Sequence, residues 1–359
     1  MSKFYPLAVA KVHNETRDCI AVTFAVPPEL QDSFKYQQGQ HLTLRTLIGE
    51  EDVRRSYSIC SAVQDSSLRV AIKRTPGGAF STWANEALKP GMTIDVMPPM
   101  GHFNVPLSAE NKRNYLAFAA GSGITPVLSI IKTTLLTEPQ STFTLFYGNR
   151  ASSSVIFKNE LMELKDSYLE RLNIVYVMSR EQQDIELFNG RITKEKTKQL
   201  LQHWIRIEDY DTAFICGPED MMHGVSEALQ EAGMPKPNIK IELFAASIPK
   251  HQHKPRTQAE MGAGQQTEVT VIMDGNAATF SMDKDKESIL DAGLRAGLDM
   301  RYSCKGGVCS TCRCKVLEGK VDMDVNYALE DYEIARGFVL SCQSFPATDK
   351  VVIDFDQAE

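Results

Sequence analysis

Five of the eight cysteines lie within the last sixty residues, and their spacing constrains the chain more than any other feature. Three of them share one short loop, and a fourth follows after 29 intervening residues, which gives the pattern Cys-x4-Cys-x2-Cys-x29-Cys. Thiolates are strong metal ligands. Gly306 and Gly307 allow the loop that contains Cys304, Cys309 and Cys312 to bend tightly. The pattern predicts a metal–thiolate centre with the ligands Cys304, Cys309, Cys312 and Cys342.

The identity of the metal follows from the same spacing. A [2Fe–2S] cluster needs two thiolates for each iron, and the plant-type arrangement takes three ligands from one loop and one from elsewhere. Zinc sites usually contain Cys-x2-Cys pairs, often with histidine, but the last histidine is His253, before the loop. No Cys-x-His pair exists, which excludes a Rieske centre. We therefore predict a [2Fe–2S] cluster and interpret Cys314 as a structural thiol.

The charge distribution separates this region from the rest of the chain. From residue 268 onward there are ten Lys and Arg against seventeen Asp and Glu, so this part carries the whole formal net charge of −7. An acidic module is a poor nucleic-acid binder and a plausible docking surface for a basic protein, or is acidic for solubility alone. No run of eighteen apolar residues exists, so we expect no membrane span. The polar beginning does not resemble a secretory signal, which favours the cytoplasm and makes disulfides unexpected.

The segments around the cysteines predict a small mixed α/β domain. Residues 268–273 and 277–282 form a predicted hairpin around Asp274-Gly275, and residues 287–295 have helical spacing. Two later segments, 338–342 and 351–355, have strand character. Over residues 267–359 this order resembles the β-grasp fold of plant-type ferredoxins.

Residues 5–105 contain short β-rich segments with turns between them and little helical periodicity, which predicts an antiparallel barrel. Within it, Arg55 and Tyr57 alternate on one predicted strand and would share a face, with the Ser58 hydroxyl beside them. This strand offers a charge, a ring and a hydroxyl to a flavin. Residues 77–82 form a Gly-rich turn into a predicted helix, whose free N–H groups are suited to phosphate.

The middle of the chain alternates strands and helices, which predicts a doubly wound parallel sheet. An apolar strand at 115–120 leads into Gly121-Ser-Gly123-Ile-Thr125-Pro126 and then a helix through residue 136. Further strands are predicted at 142–147, 173–178 and 211–216, and helices at 155–165 and 193–202. The first turn has the character of a nucleotide-binding turn but lacks the full three-glycine fingerprint, so a tight turn without a ligand is the alternative.

Together these motifs resemble the ferredoxin–NADP⁺ reductase superfamily. Its members share the order Arg-x-Tyr-Ser, Gly-Gly-x-x-Ser, Gly-x-Gly-x-x-Pro, Cys-Gly-Pro and Glu-x-Phe, which this chain contains in that order. Fusion to a ferredoxin domain resembles the reductase components of multicomponent oxygenases. The resemblance implies FAD, nicotinamide coenzyme and an oxygenase partner that receives the electrons. It assigns catalytic positions to Ser58, Cys216, Glu242 and Phe244, and cofactor-binding positions to Arg55, Tyr57, Ser58, Lys73, Gly78, Ser81, Gly121, Gly123, Thr125, Pro126, Gly217 and Pro218.

Coenzyme preference can be inferred from charge. Ser179-Arg180 follows a predicted strand, where the adenosine ribose would lie, and resembles the Ser-Arg pair that binds a 2′-phosphate in plant reductases. A guanidinium there favours a dianion, whereas an acidic side chain would favour a free ribose. Arg150 and Arg191 could contribute further charge or could be ordinary surface residues. We therefore expect NADPH rather than NADH.

Composition also predicts the domain boundaries. We expect a flavin-binding barrel over 1–106, a nucleotide domain over 107–246, a polar linker with Pro and Gly over 247–266, and a ferredoxin domain over 267–359. The function implied is transfer of electrons from NADPH through FAD and a [2Fe–2S] cluster to a diiron oxygenase. Another oxygenase system, such as a steroid hydroxylase, and a non-catalytic redox sensor remain alternatives.

Overall fold

The computed structural model describes residues 4–244 and 266–357. The predicted linker, with His251 and His253, lies almost entirely outside these described residues. Residues 5–53 and 57–243 form one compact unit, and the C-terminal sheet belongs to a second. The domain boundaries expected from composition stay a prediction. None of the described helices is both long enough and apolar enough to cross a membrane.

The N-terminal part is an antiparallel barrel. Its six strands are arranged in the order β4-β3-β6-β1-β2-β5. Ile59, just beyond β4, bridges Val70 in β5, so the two edge strands meet and leave a closed sheet. The elements are β1 (Tyr5–Thr16), β2 (Cys19–Ala25), β3 (His41–Ile48), β4 (Glu51–Ser58), β5 (Leu68–Lys73), α1 (Ala79–Ala87) and β6 (Thr93–Val96).

The second sheet is parallel throughout, as the alternation of strands and helices predicted. Its order, β11-β10-β7-β8-β9, reverses direction between β7 and β10, which is the arrangement of a doubly wound fold. The strands are β7 (Asn114–Ala120), β8 (Thr142–Asn149), β9 (Leu172–Met178), β10 (Thr212–Cys216) and β11 (Ile239–Glu242). The helices are α2 (Ile124–Thr137), α3 (Lys158–Ser167), α4 (Lys194–His203) and α5 (Glu219–Glu231).

One predicted helix begins later than its apolar pattern suggested. The expected start was residue 155, but Val155 and Ile156 lie in a buried turn, and α3 begins at Lys158. Phe157 has a φ of 59°, a left-handed conformation that an α-helix cannot contain. Its ring is buried, so packing of the aromatic side chain fixes the turn against the preference of the local sequence.

The C-terminal unit has the predicted hairpin, helix and later strands. Its main sheet has the order β13-β12-β18-β14-β16, and β15 pairs with β17 separately. Asp274 and Gly275 both have positive φ, as the two-residue turn of the hairpin requires. The elements are β12 (Gln266–Met273), β13 (Asn276–Asp283), α6 (Ile289–Arg295), β14 (Arg313–Glu318), β15 (Val321–Met323), α7 (Asp331–Ala335), β16 (Phe338–Leu340), β17 (Ser344–Pro346) and β18 (Lys350–Asp354).

A buried carboxylate fastens the amino-terminal edge of the parallel sheet. Glu138, at the end of α2, has no exposed surface. It accepts hydrogen bonds from the Tyr115 hydroxyl at 3.0 Å, the Ser141 hydroxyl at 2.7 Å and the Asn111 amide at 2.6 Å, and from the Ser108 N–H at 3.2 Å. A buried charge is tolerated only when it is satisfied in this way.

Replacement of Glu138 by Gln should therefore destabilise the N-terminal unit. The amide has one acceptor oxygen and two donor hydrogens facing groups that already donate, so we expect a loss of about 2–4 kcal/mol in the free energy of unfolding. Both tryptophans, Trp83 and Trp204, lie in this unit, so urea unfolding followed by their fluorescence measures the effect. Glu163→Gln, on the exposed face of α3, is the control and should change little.

Candidate functional site

The carboxyl ends of β7 and β10 approach each other more closely than side chains would permit. A Cβ added to Gly123 would lie 2.0 Å from the Cys216 carbonyl oxygen. On the other side, a Cβ added to Gly217 would meet the Met221 methyl at 2.6 Å and the Ala120 Cβ at 3.2 Å. Glycine is therefore required at Gly123, where the contact is with backbone, whereas at Gly217 the flexible end of the Met221 side chain can move aside. These two turns form the crevice at the reversal of strand order, where doubly wound folds bind ligands.

The remaining turn residues are fixed by local hydrogen bonds. The Thr125 hydroxyl donates to the Ser122 carbonyl oxygen at 2.9 Å. Gly121 has a φ of 53°, and Pro126 is buried in the first turn of α2, where a missing N–H costs no helical hydrogen bond. Pro218 precedes α5 as its N-cap. The structure thus brings the predicted Gly121–Pro126 and Gly217–Pro218 turns together at one edge of the sheet.

Three predicted catalytic side chains come from the last residues of three different strands. Ser58 ends β4, Cys216 ends β10 and Glu242 ends β11. The Ser58 hydroxyl donates to Glu242 Oε2 at 3.1 Å, and Cys216 is paired directly with Glu242 across the parallel strands. This arrangement connects the barrel to the nucleotide sheet beside the crevice.

Burial changes the protonation of Glu242 and Cys216. Desolvation raises the pKa of Glu242 to about 8, although the hydrogen bond from Ser58 lowers it in part. Burial, and then the nearby Glu242 charge, raises the pKa of the Cys216 thiol well above its usual value. Both groups are therefore mainly protonated at neutral pH. Phe244, two residues beyond β11, is partly buried, and its expected role over a flavin stays a prediction.

The Gly-rich turn before α1 is open toward its outer side. Gly77 has a φ of 72°, and an added Cβ would have no neighbour within 4 Å. Gly78 is the N-cap of α1, and the Ser81 hydroxyl accepts a hydrogen bond from the Thr75 N–H at 3.0 Å. An uncovered backbone at a helix N-terminus is the geometry that a pyrophosphate requires.

Two residues of the predicted flavin-binding strand, Tyr57 and Arg55, differ in their exposure to solvent. Tyr57 is partly buried, and its ring centroid lies 5.6 Å from that of Phe80 at the start of α1, so the ring is held in place by packing. Arg55 is exposed, and its guanidinium donates to the Arg54 carbonyl oxygen at 2.7 Å. Lys73 ends β5 with Nζ 3.5 Å from the position that a Gly121 Cβ would take.

The expected adenosine end is basic and exposed. Arg150 follows β8, Arg180 follows β9, and the two are joined by a backbone hydrogen bond from the Arg180 N–H to the Arg150 carbonyl oxygen at 2.8 Å. Arg191 is also exposed, and Ser179, which directly precedes Arg180, is partly exposed. Among the described residues, none of these three guanidinium groups has an ion-pair partner, so their charge is available to an anion.

In the C-terminal unit, strand pairing brings the distant cysteine to the loop. Arg313 in β14 pairs with Leu340 in β16, and the Ser341 N–H donates to the Cys312 carbonyl oxygen at 3.1 Å. Gly307 has a φ of 75°, and an added Cβ would lie 2.9 Å from the Val325 carbonyl oxygen, so the loop requires glycine there. None of the eight cysteines, all of which lie in the described residues, forms a disulfide.

The four predicted ligands fall into two neighbouring pairs, Cys304 with Cys309 and Cys312 with Cys342. The Gly306 N–H donates to Cys304 Sγ at 3.2 Å. The neighbouring thiol, and then burial, raises the pKa of Cys304 and of Cys312. Within residues 4–244 and 266–357, no three His, Cys, Asp or Glu side chains converge on a common point as ligands of one ion do. The donor set, four thiols with no histidine, fits the four-cysteine ligand set of a [2Fe–2S] cluster.

Cys314 lies outside these pairs. It belongs to β14, is 1% exposed, and its Sγ contacts the Val339 carbonyl oxygen at 3.8 Å. Burial raises its pKa, which keeps it a neutral thiol. These properties agree with the structural role predicted for it.

Sequence patterns did not indicate a set of ion pairs that joins the barrel to the nucleotide sheet. Arg69 in β5 contacts both oxygens of Glu160 in α3, at 2.8 and 2.7 Å. Lys132 in α2 bridges Glu160 at 2.9 Å and Asp65 at 2.7 Å. These four residues line a groove of about 1250 Å³ that contains none of the predicted site residues. They could not be found from sequence because the partners are 28 to 91 positions apart.

Comparison with known proteins agrees with all three modules. Three family models match: an oxidoreductase FAD-binding domain over residues 6–105, an oxidoreductase NAD-binding domain over 118–227, and a 2Fe-2S iron–sulfur cluster binding domain over 271–347. The fold resembles that of phthalate dioxygenase reductase, with a TM-score of 0.58, 21% identity and 98% coverage of both chains.

Curated relatives extend over the whole chain. One subunit of the 1,2-phenylacetyl-CoA epoxidase of Escherichia coli (strain K12) is 48% identical, with 99% of each chain aligned. The ferredoxin reductase component of the 3-ketosteroid-9-alpha-monooxygenase of Rhodococcus rhodochrous is 37% identical over 97% of this chain and 96% of its own. The chain therefore belongs to the family of FAD-, NAD- and [2Fe–2S]-binding reductase components of multicomponent oxygenases. Within that family, it is similar over its full length to the phenylacetyl-CoA epoxidase subunit.

The raised pKa of Glu242 predicts a pH dependence. As pH rises through about 8, the carboxyl loses its proton and places a negative charge beside the crevice where hydride would arrive, so coenzyme oxidation should slow. Glu242→Gln stays neutral and should remove that alkaline limb. The measurement is kcat with ferricyanide as acceptor between about pH 6.5 and 9.5, a range that brackets the titration. Glu163→Gln should keep the wild-type profile, and an unchanged alkaline limb in Glu242→Gln would show that another group titrates.

Proposed function

We propose that this reductase passes electrons from NADPH through FAD and a [2Fe–2S] cluster to the diiron oxygenase of a phenylacetyl-CoA epoxidase. The observation that carries the choice of partner is the 48% identity to the Escherichia coli epoxidase component over 99% of each chain. The steroid monooxygenase relative, at 37% identity, supports another oxygenase as the second candidate. A non-catalytic redox sensor would not require the coenzyme crevice formed by Gly123 and Gly217.

The residues of the N-terminal part have separate tasks in this proposal. Tyr57 and Ser58 hold and orient the flavin, the open backbone at Gly77 before α1 binds its pyrophosphate, and the exposed Arg55 supplies charge. FAD, when bound, supplies the conversion between the two-electron chemistry of a nicotinamide coenzyme and the one-electron chemistry of a cluster. Glu242 retains a proton below about pH 8 and receives the Ser58 hydrogen bond, which keeps negative charge away from the hydride path.

In the C-terminal unit, the cysteine pairs would divide between the two irons. Cys304 and Cys309 would bind one iron, because they share one short loop, and Cys312 and Cys342 the other, because the hydrogen bond from the Ser341 N–H to the Cys312 carbonyl oxygen brings Cys342 beside Cys312. The Gly306 N–H would donate to the Cys304 sulfur, a contact that stabilises charge on a thiolate. Cys314 would not be a ligand.

Single cysteine replacements test both the ligand set and the route. Cys342→Ser should lose the visible absorbance of the cluster, one iron-binding position and the transfer of electrons to the oxygenase, while coenzyme-dependent reduction of ferricyanide persists. Cys314→Ser, a buried thiol of the same unit, is the matched control and should keep all four properties. The readouts are iron and sulfide content, absorbance, and epoxidation of phenylacetyl-CoA with the purified oxygenase component. Full epoxidation by cluster-free Cys342→Ser would refute the route.

Coenzyme preference is tested separately at the exposed basic end. We propose that Arg180, with Ser179, binds the 2′-phosphate of NADPH. Arg180→Ala should lower kcat/KM for NADPH by about tenfold to a hundredfold, the usual value of a charge-assisted contact, and leave NADH almost unchanged. Arg206→Ala, an exposed arginine before β10 that pairs with Asp209, is the control. A wild-type preference for NADH would reject the NADPH assignment without affecting the cluster route.

A further inference from the structure

A buried tyrosine supports the coenzyme turn from below. Tyr147 lies in β8, next to β7 in the sheet, and its side chain has no exposed surface. Its hydroxyl donates to the Gly121 carbonyl oxygen at 2.9 Å. No motif implied a role for it, and the proposed function does not use it.

The hydrogen bond determines which way one peptide faces. In a planar trans peptide, the C=O of Gly121 and the N–H of Ser122 point in opposite directions. Because the carbonyl is directed toward the buried Tyr147 hydroxyl, the Ser122 N–H is directed away from the core, toward the side where the turn is partly exposed. The same carbonyl also accepts from the Ile124 N–H, which begins α2 and helps to hold this plane.

The turn requires the hydrogen bond from Tyr147 because the backbone of Gly121 has only weak conformational preferences of its own. Gly121 has a φ of 53° and no Cβ, so several orientations of the following peptide are accessible to it. Thr125 fixes only the next carbonyl, that of Ser122. The Tyr147 hydroxyl is the one side-chain donor to the Gly121 carbonyl among the described residues, and it comes from a rigid neighbouring strand.

We propose that Tyr147 is a positioning residue for coenzyme binding: its hydroxyl anchors the Gly121 carbonyl so that the Ser122 N–H faces a phosphate oxygen of the nicotinamide dinucleotide. This inference rests on the proposed function, because it requires the Gly121–Thr125 turn to bind the coenzyme. The ligand class is the pyrophosphate group, which NADPH and NADH share. The effect should therefore be the same for both coenzymes.

A pure packing role is the alternative, since the ring is fully buried and its hydroxyl also lies 3.5 Å from the Ile156 carbonyl oxygen. Tyr147→Phe keeps the ring and removes only the oxygen. Tyr115→Phe is the matched control, because Tyr115 is also fully buried in the same sheet and its hydroxyl donates to Glu138 at the opposite, amino-terminal edge. A loss of stability without a change in coenzyme binding is expected of that control.

The experiment measures KM and kcat for NADPH and NADH with ferricyanide, and thermal stability, in the full-length flavin-loaded chain. Tyr147→Phe should raise KM for both coenzymes about threefold to tenfold, the effect of one hydrogen bond, with kcat within about twofold of wild type. Tyr115→Phe should leave KM unchanged even where its thermal midpoint is lower.

Two results would overturn the inference. One is an unchanged KM in Tyr147→Phe, and the other is an equal rise in KM in Tyr147→Phe and Tyr115→Phe, which would make the effect one of general stability. Failure of the proposed function has a different signature, because wild-type protein would then oxidise neither coenzyme. Wild-type turnover with an unchanged KM in Tyr147→Phe rejects the role of Tyr147 alone.

Discussion

The contact between Gly123 and the Cys216 carbonyl oxygen is the constraint on which the rest of the reductase unit depends. The two turns that follow β7 and β10 must lie against each other for the reversal of strand order to form a narrow crevice. A Cβ at Gly123 would separate them, since it would need space already occupied by backbone. The same contact fixes Cys216 and, through its strand pairing, Glu242. The candidate coenzyme site and the predicted catalytic residues Cys216 and Glu242 therefore depend on the same contact.

Two of the contacts between the barrel and the nucleotide sheet have different physical properties. The Ser58–Glu242 hydrogen bond lies at the crevice and changes when Glu242 loses its proton. The ion pairs of Arg69 and Lys132 with Glu160 lie around a separate groove. The second contact can keep the two sheets aligned while the first responds to protonation. The protonation of Glu242 can therefore change without loss of the alignment between the two sheets.

The parts that were predictable from sequence depend on short-range chemistry. The Gly-x-Gly turn and the Asp274-Gly275 hairpin place residues where the backbone conformation requires them, and the cysteine spacing places three thiols in one loop. Each of the three patterns predicted the correct type of domain. The predicted start of α3 was wrong because Phe157 adopts a φ of 59° and buries its ring. That conformation depends on tertiary packing rather than on the local sequence. The pairing of Ser58 with Glu242 spans 184 positions, and only the family resemblance suggested that the two belong to one site. Contacts of that range are set by the whole fold rather than by local pattern.

The distribution of similarity also indicates where the choice of substrate is made. Relatives named for a phenylacetyl-CoA epoxidase and a 3-ketosteroid monooxygenase align with this chain over nearly its full length, although their named substrates share no shape. The tasks proposed for the side chains of the candidate site concern coenzyme, flavin or sulfur ligands, and none of these tasks requires a pocket for the oxidised molecule. Such a chain delivers electrons, and the oxygenase selects the molecule that is oxidised. We therefore expect differences between these reductases to act through recognition of the oxygenase.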